Sequence, residues 1–399
     1  MMQKAISGNA KIVRDINRSM ILNIIRKNQP ISRSRIAGMT GLNKSTVSSI
    51  VADLLKEELV YEQKNEDRNV GRNPIDLSIR LGRSLIGAIN IDSAVTCIAV
   101  VDIDGTILAE SKFDTKPGDP KIFISRCVKR LQTLCSRSDV RKLEGLGVSV
   151  AGIVDSKDLV VDFAPNLGWE DFNIGQEFLK HMPDLKIIAV GNDAKASALA
   201  ELWFGAQKGG LSNFVFLSIG DGIGSGVVVE GKLLQGEFQA AGEVGHMILI
   251  EGGEKCVCGN NGCWERYASD TATVKRFLYE KHQDRGLLNH FQIDDILKLA
   301  ENGDSTAIKV LTETGEFLGL GIATIVKAFD PHAIIIGGRI TRAWDIIYPR
   351  ILQEVEKRAF YGRNKNIIIT PTSLNVRPRL LGAATLAIKE IFDDYKITI

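Results

Sequence analysis

Three cysteines and one histidine form a compact set of potential metal ligands. Cys256, Cys258 and Cys263 follow the pattern C-x-C-x4-C, and His246 precedes this loop by ten residues. Three thiolates and one imidazole complete a tetrahedral set and leave no open coordination position. The pattern therefore predicts a structural metal site and not a catalytic one. The alternative is a surface loop that carries three reduced cysteines.

The charge of the chain is unevenly distributed along its 399 residues. Residues 1–80 hold 14 Lys/Arg and 8 Asp/Glu, whereas the remainder holds 36 and 40. A basic segment joined to a mildly acidic body is typical of a nucleic-acid-binding module fused to a domain with another task. No apolar run reaches the length of a membrane span, and the N-terminus lacks the apolar core of a signal peptide. We therefore expect a cytoplasmic protein that does not associate with membranes.

The basic segment has the pattern of three short helices. Apolar residues recur at helical spacing over residues 11–27. Ser32 is a predicted cap for a second helix, Gly41 supplies a turn, and either Asn43 or Ser45 can cap a third helix. Two helices joined by a tight turn in this way predict a helix-turn-helix.

A predicted β-hairpin follows the third helix. The stretches 59–61 and 75–79 read as strands around a polar loop, and they would form the wing of a winged helix-turn-helix over residues 1–82. Short donors at the start of the third helix suit a major groove, and nearby arginines suit phosphates. The predicted DNA contacts are Arg33, Arg35, Asn43, Lys44, Ser45, Thr46, Ser48 and, at the wing tip, Arg72. The alternative is a three-helix protein-interaction module with a polar face.

From residue 84 onward, short apolar runs alternate with helical stretches. This pattern predicts an α/β body over residues 83–399, built as two halves with a cleft between them. The predicted strands are 85–91, 98–102, 107–110, 146–150, 187–190, 214–219, 226–229 and 333–336, with a helix over 122–135.

Five segments of the chain resemble the ROK family of repressors and sugar kinases, and in particular its xylose-responsive repressors from Gram-positive bacteria. They are TGLNKSTVSS, APNLGWED, GNDAKASALAE, AGEVGHM and CVCGNNGCWERYAS. The resemblance implies an actin-like, ribonuclease H-like body of two lobes. It also implies that His246, Cys256, Cys258 and Cys263 hold one structural zinc ion in a loop over residues 246–263.

The resemblance further implies a sugar site. Sugar hydroxyls need carboxylates and amides that accept and donate hydrogen bonds. His246 would serve zinc with one ring nitrogen and sugar with the other. Each predicted sugar ligand, taken alone, could be an ordinary surface polar residue. The predicted sugar ligands are Asn166, Asn192, Asp193, Glu243, His246 and Glu265.

Kinase activity is not expected. Asp193 matches the catalytic aspartate of the family's kinases, but Ser93 and Ala94 replace the glycines that cradle phosphate, and Asp221 would repel it. The sequence accordingly predicts a repressor that is not an enzyme. An ATP-dependent sugar kinase with an appended DNA-binding domain is the alternative.

The predicted mechanism couples sugar to DNA. A small neutral sugar, xylose first and glucose next, would close the cleft and release a homodimer or dimer of dimers from operator DNA. Neutral sugars are preferred because the predicted ligands offer carboxylates and no obvious Arg or Lys. A sensor in which the sugar promotes DNA binding is a third reading.

Overall fold

The protein is described here by a computed structural model that covers residues 10–64, 75–116, 118–138, 140, 142–206, 211–282, 291–358, 367–374 and 377–393. The chain divides into two compact units. The first comprises Met1–Val148, Phe172–Val190 and Ala383–Ile399, and the second comprises Ser149–Asp171 and Gly191–Gly382. None of the helices within these described ranges is long and apolar enough to cross a membrane.

The N-terminal segment folds as three helices and a small sheet. Its elements are α1 (Ala10–Asn28), β1 (Ile31–Ser32), α2 (Arg33–Thr40), α3 (Lys44–Lys56), β2 (Val60–Lys64) and β3 (Ile75–Ile79). The strands form an antiparallel sheet in the order β1-β3-β2.

Local sequence signals set the boundaries of these helices. The Ser32 hydroxyl accepts a hydrogen bond from the backbone of α2, and the Asn43 side chain accepts one from the Thr46 amide at the start of α3. Between the two helices, Gly41 adopts a left-handed conformation with φ 71°. The predicted helix-turn-helix is therefore present, and Asn43, not Ser45, caps its third helix.

The rest of the described chain alternates strands and helices. Its strands are β4 (Leu85–Ile91), β5 (Val95–Asp102), β6 (Ile107–Asp114), β7 (Gly145–Val150), β8 (Ile153–Asp155), β9 (Val160–Ala164), β10 (Trp169–Asn173), β11 (Ile187–Asn192), β12 (Phe214–Ile219), β13 (Ile223–Val229), β14 (Lys232–Leu233), β15 (Ala333–Gly337) and β16 (Ile368–Pro371). Its helices are α4 (Pro120–Arg137), α5 (Ile174–His181), α6 (Asp193–Phe204), α7 (Glu265–Ala268), α8 (Asp270–Glu280), α9 (Ile293–Glu301), α10 (Ser305–Phe329), α11 (Trp344–Lys357) and α12 (Pro378–Phe392).

A five-stranded sheet dominates the body part of the first unit, in the order β11-β7-β4-β5-β6. Strands β4, β5 and β6 are antiparallel neighbours. Every residue of β4 is buried, and a Cβ added at Gly87 would lie 2.9 Å from Leu131 of α4. The absence of a side chain at Gly87 therefore lets α4 pack closely on this sheet.

The second unit contains a five-stranded sheet in the order β14-β13-β12-β15-β16 and a three-stranded sheet in the order β10-β9-β8. β12 and β13 form an antiparallel hairpin, and β12 pairs in parallel with β15. Trp264 is fully buried in the main apolar core of this unit, and its indole N–H donates to the Phe317 carbonyl at 2.7 Å. Burial of this large side chain anchors the loop that carries the cysteines.

Candidate functional site

The four predicted metal ligands lie together in the second unit. His246 ends a short 3-10 helix, Val244–His246, and the cysteines lie in the loop that follows. One potential ligand atom from each of the four residues lies within 4.8 Å of every other. The His246 Nδ1 to Cys256 Sγ distance is 3.6 Å, and Cys258 Sγ lies 3.5 Å from Cys263 Sγ. These separations match the roughly 3.6–3.8 Å edges of a tetrahedron built from zinc–nitrogen and zinc–sulfur bonds, so the donor set fits zinc.

Backbone pairing shapes the cysteine loop around these atoms. Isolated β-bridges join Ile248 to Cys263 and Lys255 to Asn261. Gly262 turns the chain with φ 80°, and a Cβ at this position would lie 1.7 Å from the Ile250 carbonyl oxygen. Only glycine fits there without displacing backbone, which explains the glycine before Cys263.

Glu265 links the cysteine loop to the hairpin between β12 and β13. One of its carboxylate oxygens accepts a hydrogen bond from the Cys256 thiol at 3.1 Å and lies 3.7 Å from His246 Nδ1. The other accepts from the Ile223 amide at 3.4 Å. His246 thus directs Nδ1 toward Cys256 and Glu265, which leaves Nε2 for the second role that the sequence predicts.

Asn192 and Asp193 lie at the start of α6. The Asn192 oxygen accepts hydrogen bonds from the Ala194 and Lys195 amides, both at 3.0 Å, and its amide nitrogen donates to the Gly152 carbonyl at 3.0 Å. Asn192 is therefore the cap of α6, with its oxygen committed to the helix. This cap fixes the position of Asp193, the first residue of the helix.

Arg379 lies beside the Asp193 carboxylate. Its Nε lies 3.3 Å from Asp193 Oδ2, and its Nε and Nη2 donate to the Ser218 hydroxyl at 3.1 and 3.0 Å. Nη2 also lies 3.0 Å from the position that a Cβ on Gly220 would take. The guanidinium therefore occupies the space between the start of α6 and the β12–β13 hairpin.

A second pair of opposite charges forms near Glu243. Lys195 is only 6% exposed, and its ammonium group donates to the Gln239 carbonyl. Burial lowers the pKa of Lys195, and the charge of Glu243 opposes that shift. Burial likewise raises the pKa of Glu243, and Lys195 and His246 oppose it. Each charge thus compensates the other inside a poorly hydrated region.

These contacts connect five of the six predicted sugar ligands, Asn192, Asp193, Glu243, His246 and Glu265, to the start of α6, the β12–β13 hairpin and the cysteine loop. Asn166 stands apart, exposed in the turn between β9 and β10. Lys195 and Arg379 were not among the predicted site residues. Lys195 belongs to the quoted segment GNDAKASALAE and could have been found there, but nothing in the sequence pattern brings Arg379 to Asp193.

The glycine-rich hairpin between β12 and β13 packs tightly on α6. Gly220 N–H donates to the Gly222 carbonyl at 3.0 Å across the turn. A Cβ at Gly224 would lie 2.8 Å from Ala194 Cβ, and one at Gly226 would lie 2.4 Å from Ala198 Cβ. The lack of a side chain at these two glycines therefore allows α6 to pack closely on β13.

A buried carboxylate lies next to this turn. Asp270 is 3% exposed, and its backbone N–H donates to the Gly220 carbonyl at 2.8 Å. Neither of its carboxylate oxygens has a hydrogen-bond partner among the described residues, and Arg339 Nε lies 4.0 Å away. Burial raises the pKa of Asp270 to about 7, although the charges of Arg339 and Arg379 oppose the shift.

The predicted DNA contacts lie on α2, on α3 and at their junction, with one exception. Lys44, Ser45 and Ser48 are exposed, and Thr46 is partly exposed. Arg35 is exposed, whereas Arg33 is half-buried and its guanidinium lies 2.6 Å from the Glu62 carboxylate of β2. The Asn43 side-chain oxygen accepts from Thr46 N–H at 2.8 Å and from the Ser45 hydroxyl at 2.9 Å. Arg72, predicted at the wing tip, lies outside the described residues.

Comparison with known proteins identifies both parts of the chain. The sequence profile of the ROK family matches residues 86–390, and a profile of winged helix-turn-helix DNA-binding domains matches residues 14–61. The chain belongs to the ROK family. It is 31% identical to the xylose repressor of Bacillus subtilis strain 168 over 387 residues, which cover 96% of this chain and 97% of that protein. With the xylose repressor of Bacillus spizizenii it shares 32% identity over 389 residues.

Solved ROK structures confirm the predicted fold class, an α/β body with an N-terminal winged helix-turn-helix. A ROK family transcriptional regulator, a homolog of the E. coli MLC protein, matches with a TM-score of 0.83 and 25% identity, covering 96% of this chain and 97% of that one. A ROK glucokinase from Streptomyces griseus, in complex with glucose and AMPPNP, matches with a TM-score of 0.67 and 28% identity but covers only 77% of this chain. The match to the regulator extends over nearly the whole chain, and the match to the kinase does not.

Proposed function

We propose that this ROK protein is a sugar-responsive transcriptional repressor that binds operator DNA, and that it is not an enzyme. One observation carries this proposal: a winged helix-turn-helix and a ROK body are joined in one chain that matches xylose repressors along 96% of its length. The lack of kinase activity is supported by Arg379, whose guanidinium contacts Asp193, the residue that would be the base in a kinase. Operator DNA places the action of the protein in the cytoplasm.

For the effector we propose a small neutral sugar, xylose first and glucose second, held by Asn166, Asn192, Asp193, Glu243, His246 and Glu265. The sequence suggested a neutral sugar because no Arg or Lys accompanied these carboxylates, and that expectation is wrong: Arg379 lies beside Asp193, and Lys195 lies near Glu243. A different reason supports the same choice. Each cation is matched by a carboxylate, so no positive charge is left over to select a phosphate, and hydroxyls can bind to such paired groups.

We propose that His246, Cys256, Cys258 and Cys263 hold a structural zinc ion. Zinc supplies no chemistry in such a closed site, and it would fix the loop from which Glu265 reaches the β12–β13 hairpin. Elemental analysis of reduced protein should find one zinc per chain in the wild type and none in Cys258→Ser. Cys135→Ser, which changes a cysteine of α4, is the matched control and should retain the metal. Wild-type protein without zinc would contradict the assignment.

For DNA recognition we propose the exposed start of α3 in the major groove, with Arg33, Arg35, Asn43, Lys44, Ser45, Thr46, Ser48 and Arg72 as contacts. We further propose a homodimer or dimer of dimers, because proteins that read the major groove in this way usually bind paired half-sites.

The function can be tested with DNA from the region upstream of the protein's own gene. Fluorescence anisotropy should show tight binding to this duplex and weak binding to a scrambled one, and xylose should release the protein. Glucose and N-acetylglucosamine form the comparison arms. Release by none of these sugars, tighter binding in their presence, or sugar-dependent ADP formation from ATP at ordinary turnover would each contradict the proposal.

A further inference from the structure

Helix α4, in the first unit, is strongly basic in a body that is otherwise mildly acidic. Its 18 residues, PKIFISRCVKRLQTLCSR, contain five Lys/Arg and no Asp/Glu. One face of the helix is apolar and packs in the core, with Phe123, Ile124 and Leu131 buried. The basic side chains are therefore displayed on the opposite, solvent-facing side.

Four of these five basic residues line a single groove between α4 and α5. The groove has a volume of about 660 Å³, which is within the range of small-molecule sites, and it lies entirely within the first unit. Its lining residues are Lys121, Ile122, Ser125, Arg126, Lys129, Arg130, Thr133, Glu177 and His181.

The two arginines are held in place by an aromatic ring and a hydroxyl. The guanidinium carbons of Arg126 and Arg130 lie 4.1 and 5.0 Å from the centre of the Phe113 ring. Arg130 also donates to the Ser111 hydroxyl at 3.3 Å. Stacking on Phe113 restricts these side chains without neutralising them, so little conformational entropy remains to be lost when an anion binds.

The positive charge of the groove is only partly offset by carboxylates, through the electrostatic interaction of Lys121 with Glu177. In the part of the chain that the structure describes, Lys121, Arg126, Lys129 and Arg130 have no carboxylate oxygen within 4.0 Å. Glu177, the one acid in the lining, is already engaged by Lys180 at 2.8 Å and His181 at 3.6 Å. The groove therefore has a net positive charge.

We propose that this groove between α4 and α5 binds a small ligand that carries two or more phosphate groups. Arginine forks match phosphate oxygens bidentately, and the flanking lysines add charge without demanding a fixed geometry. Four cations gathered in one groove favour a compact polyanion over the DNA backbone, whose charges are spread along a long row. This site is separate from the proposed sugar ligands, which all belong to the second unit.

Inorganic pyrophosphate is a suitable probe for the full-length protein. Isothermal titration should show pyrophosphate binding at least tenfold tighter than orthophosphate, with affinity falling as salt is raised. The double variant Lys121→Gln/Lys129→Gln should weaken pyrophosphate binding at least tenfold. Both lysines are exposed, so this variant should keep the wild-type melting temperature.

Arg137→Gln provides the matched control, because Arg137 is exposed on the same helix and lies outside the groove. Its dissociation constant for pyrophosphate should be within twofold of the wild-type value, and the same should hold for Arg35→Gln on α2. Equal weakening by Arg137→Gln, or no pyrophosphate binding at millimolar concentration, would overturn the proposal. So would a double variant that loses affinity for random-sequence duplex DNA while its pyrophosphate affinity is unchanged, because the groove would then belong to nucleic acid.

Discussion

Opposite charges are paired at the start of α6. Asp193 lies beside Arg379, and Lys195 lies near Glu243, so that each of these two cations has a carboxylate partner in a poorly hydrated region. Removing one member of such a pair leaves the other buried and uncompensated, which costs more than the pair contributes. The side chains that compensate the predicted sugar ligands are thus as important to the site as the ligands.

Arg379→Ala should destabilise the protein by about 1–3 kcal/mol, less than for a fully buried pair because Arg379 is partly exposed. It should also lower sugar affinity about tenfold or more, since Asp193 loses the partner that orients it. Arg379→Lys should have intermediate effects on stability and on sugar affinity, because lysine keeps the positive charge but lacks the forked guanidinium group. Lys389→Ala, which breaks the more exposed pair between Lys389 of α12 and Asp393 just after the helix, is the control and should change neither property appreciably. Unchanged sugar affinity in Arg379→Ala would refute the positioning role.

Asp270 gives the stability of the protein a specific pH dependence. Burial raises its pKa from 3.8 to about 7, so the folded state holds this proton more tightly than the unfolded state does. A raised carboxyl pKa stabilises the fold fully below about pH 4, and the contribution is lost as pH rises to about 7.

Asp270→Asn removes this titration while keeping the shape of the side chain. Denaturant unfolding at pH 5 and pH 8 should show that the variant gains stability relative to the wild type as pH rises, by up to about 3 kcal/mol, because about two pH units separate pH 5 from the pKa of Asp270 and each corresponds to about 1.4 kcal/mol. Other titrating groups are common to both proteins, so the difference between the two pH profiles isolates Asp270. Parallel profiles would show that Asp270 is not protonated in the native state.

The sequence predicted individual residues well where their roles are local. The clustering of His246, Cys256, Cys258 and Cys263 and the cap Ser32 follow from spacing and side-chain type, and Asn43 was one of the two caps that the sequence offered for α3. Arg379 could not be predicted, because its contact with Asp193 depends on how α12 packs beside α6. The sequence of one helix does not show where the other lies. The role of Gly224 and Gly226 could not be predicted either, because it depends on the close packing of β13 on α6.

At the scale of elements, the two arginines of α2 that are predicted to contact phosphate differ in their surroundings. Arg33 lies 2.6 Å from the carboxylate of Glu62 on β2, and Arg35, two residues later, is exposed. A cation already paired with a carboxylate must give up that partner before it binds phosphate. Arg35 should therefore contribute more to DNA affinity, and Arg33 more to holding β2 against α2.

The two arginines form a natural matched pair for a salt titration. Arg35→Gln should weaken binding to operator and random duplexes alike and should reduce the salt slope of the affinity by about one. Arg33→Gln should change the slope less and should lower the melting temperature more, because it leaves Glu62 without its partner. Equal slopes for Arg35→Gln and the wild type would remove Arg35 from the set of phosphate contacts.

Hydrophobic periodicity located about half of the described helices and strands, most of these to within a few residues. The predicted helix at 122–135 is α4, Pro120–Arg137, and the predicted strand at 214–219 is β12. The prediction missed β8, β9 and β10, because these short strands mix exposed and buried residues and lack a clear alternation. Strand β5 begins at Val95 and not at residue 98, since Thr96 and Cys97 interrupt its apolar run.

At the scale of the whole molecule, the proposed repressor has two binding activities in one chain that oppose each other. A sugar can shift DNA binding only by the ratio of its affinities for the DNA-bound and free states, and the same ratio must describe the effect of DNA on sugar binding. Typical coupling of this kind is about 5- to 150-fold.

The most direct measurement is the dissociation constant of xylose with and without saturating operator duplex, set beside the dissociation constant of the duplex with and without saturating xylose. We expect each ligand to weaken the binding of the other by the same factor, at least about fivefold. Scrambled duplex at equal concentration should leave sugar affinity nearly unchanged. Xylose and operator that bind the chain independently, each with unaltered affinity, would contradict the central claim.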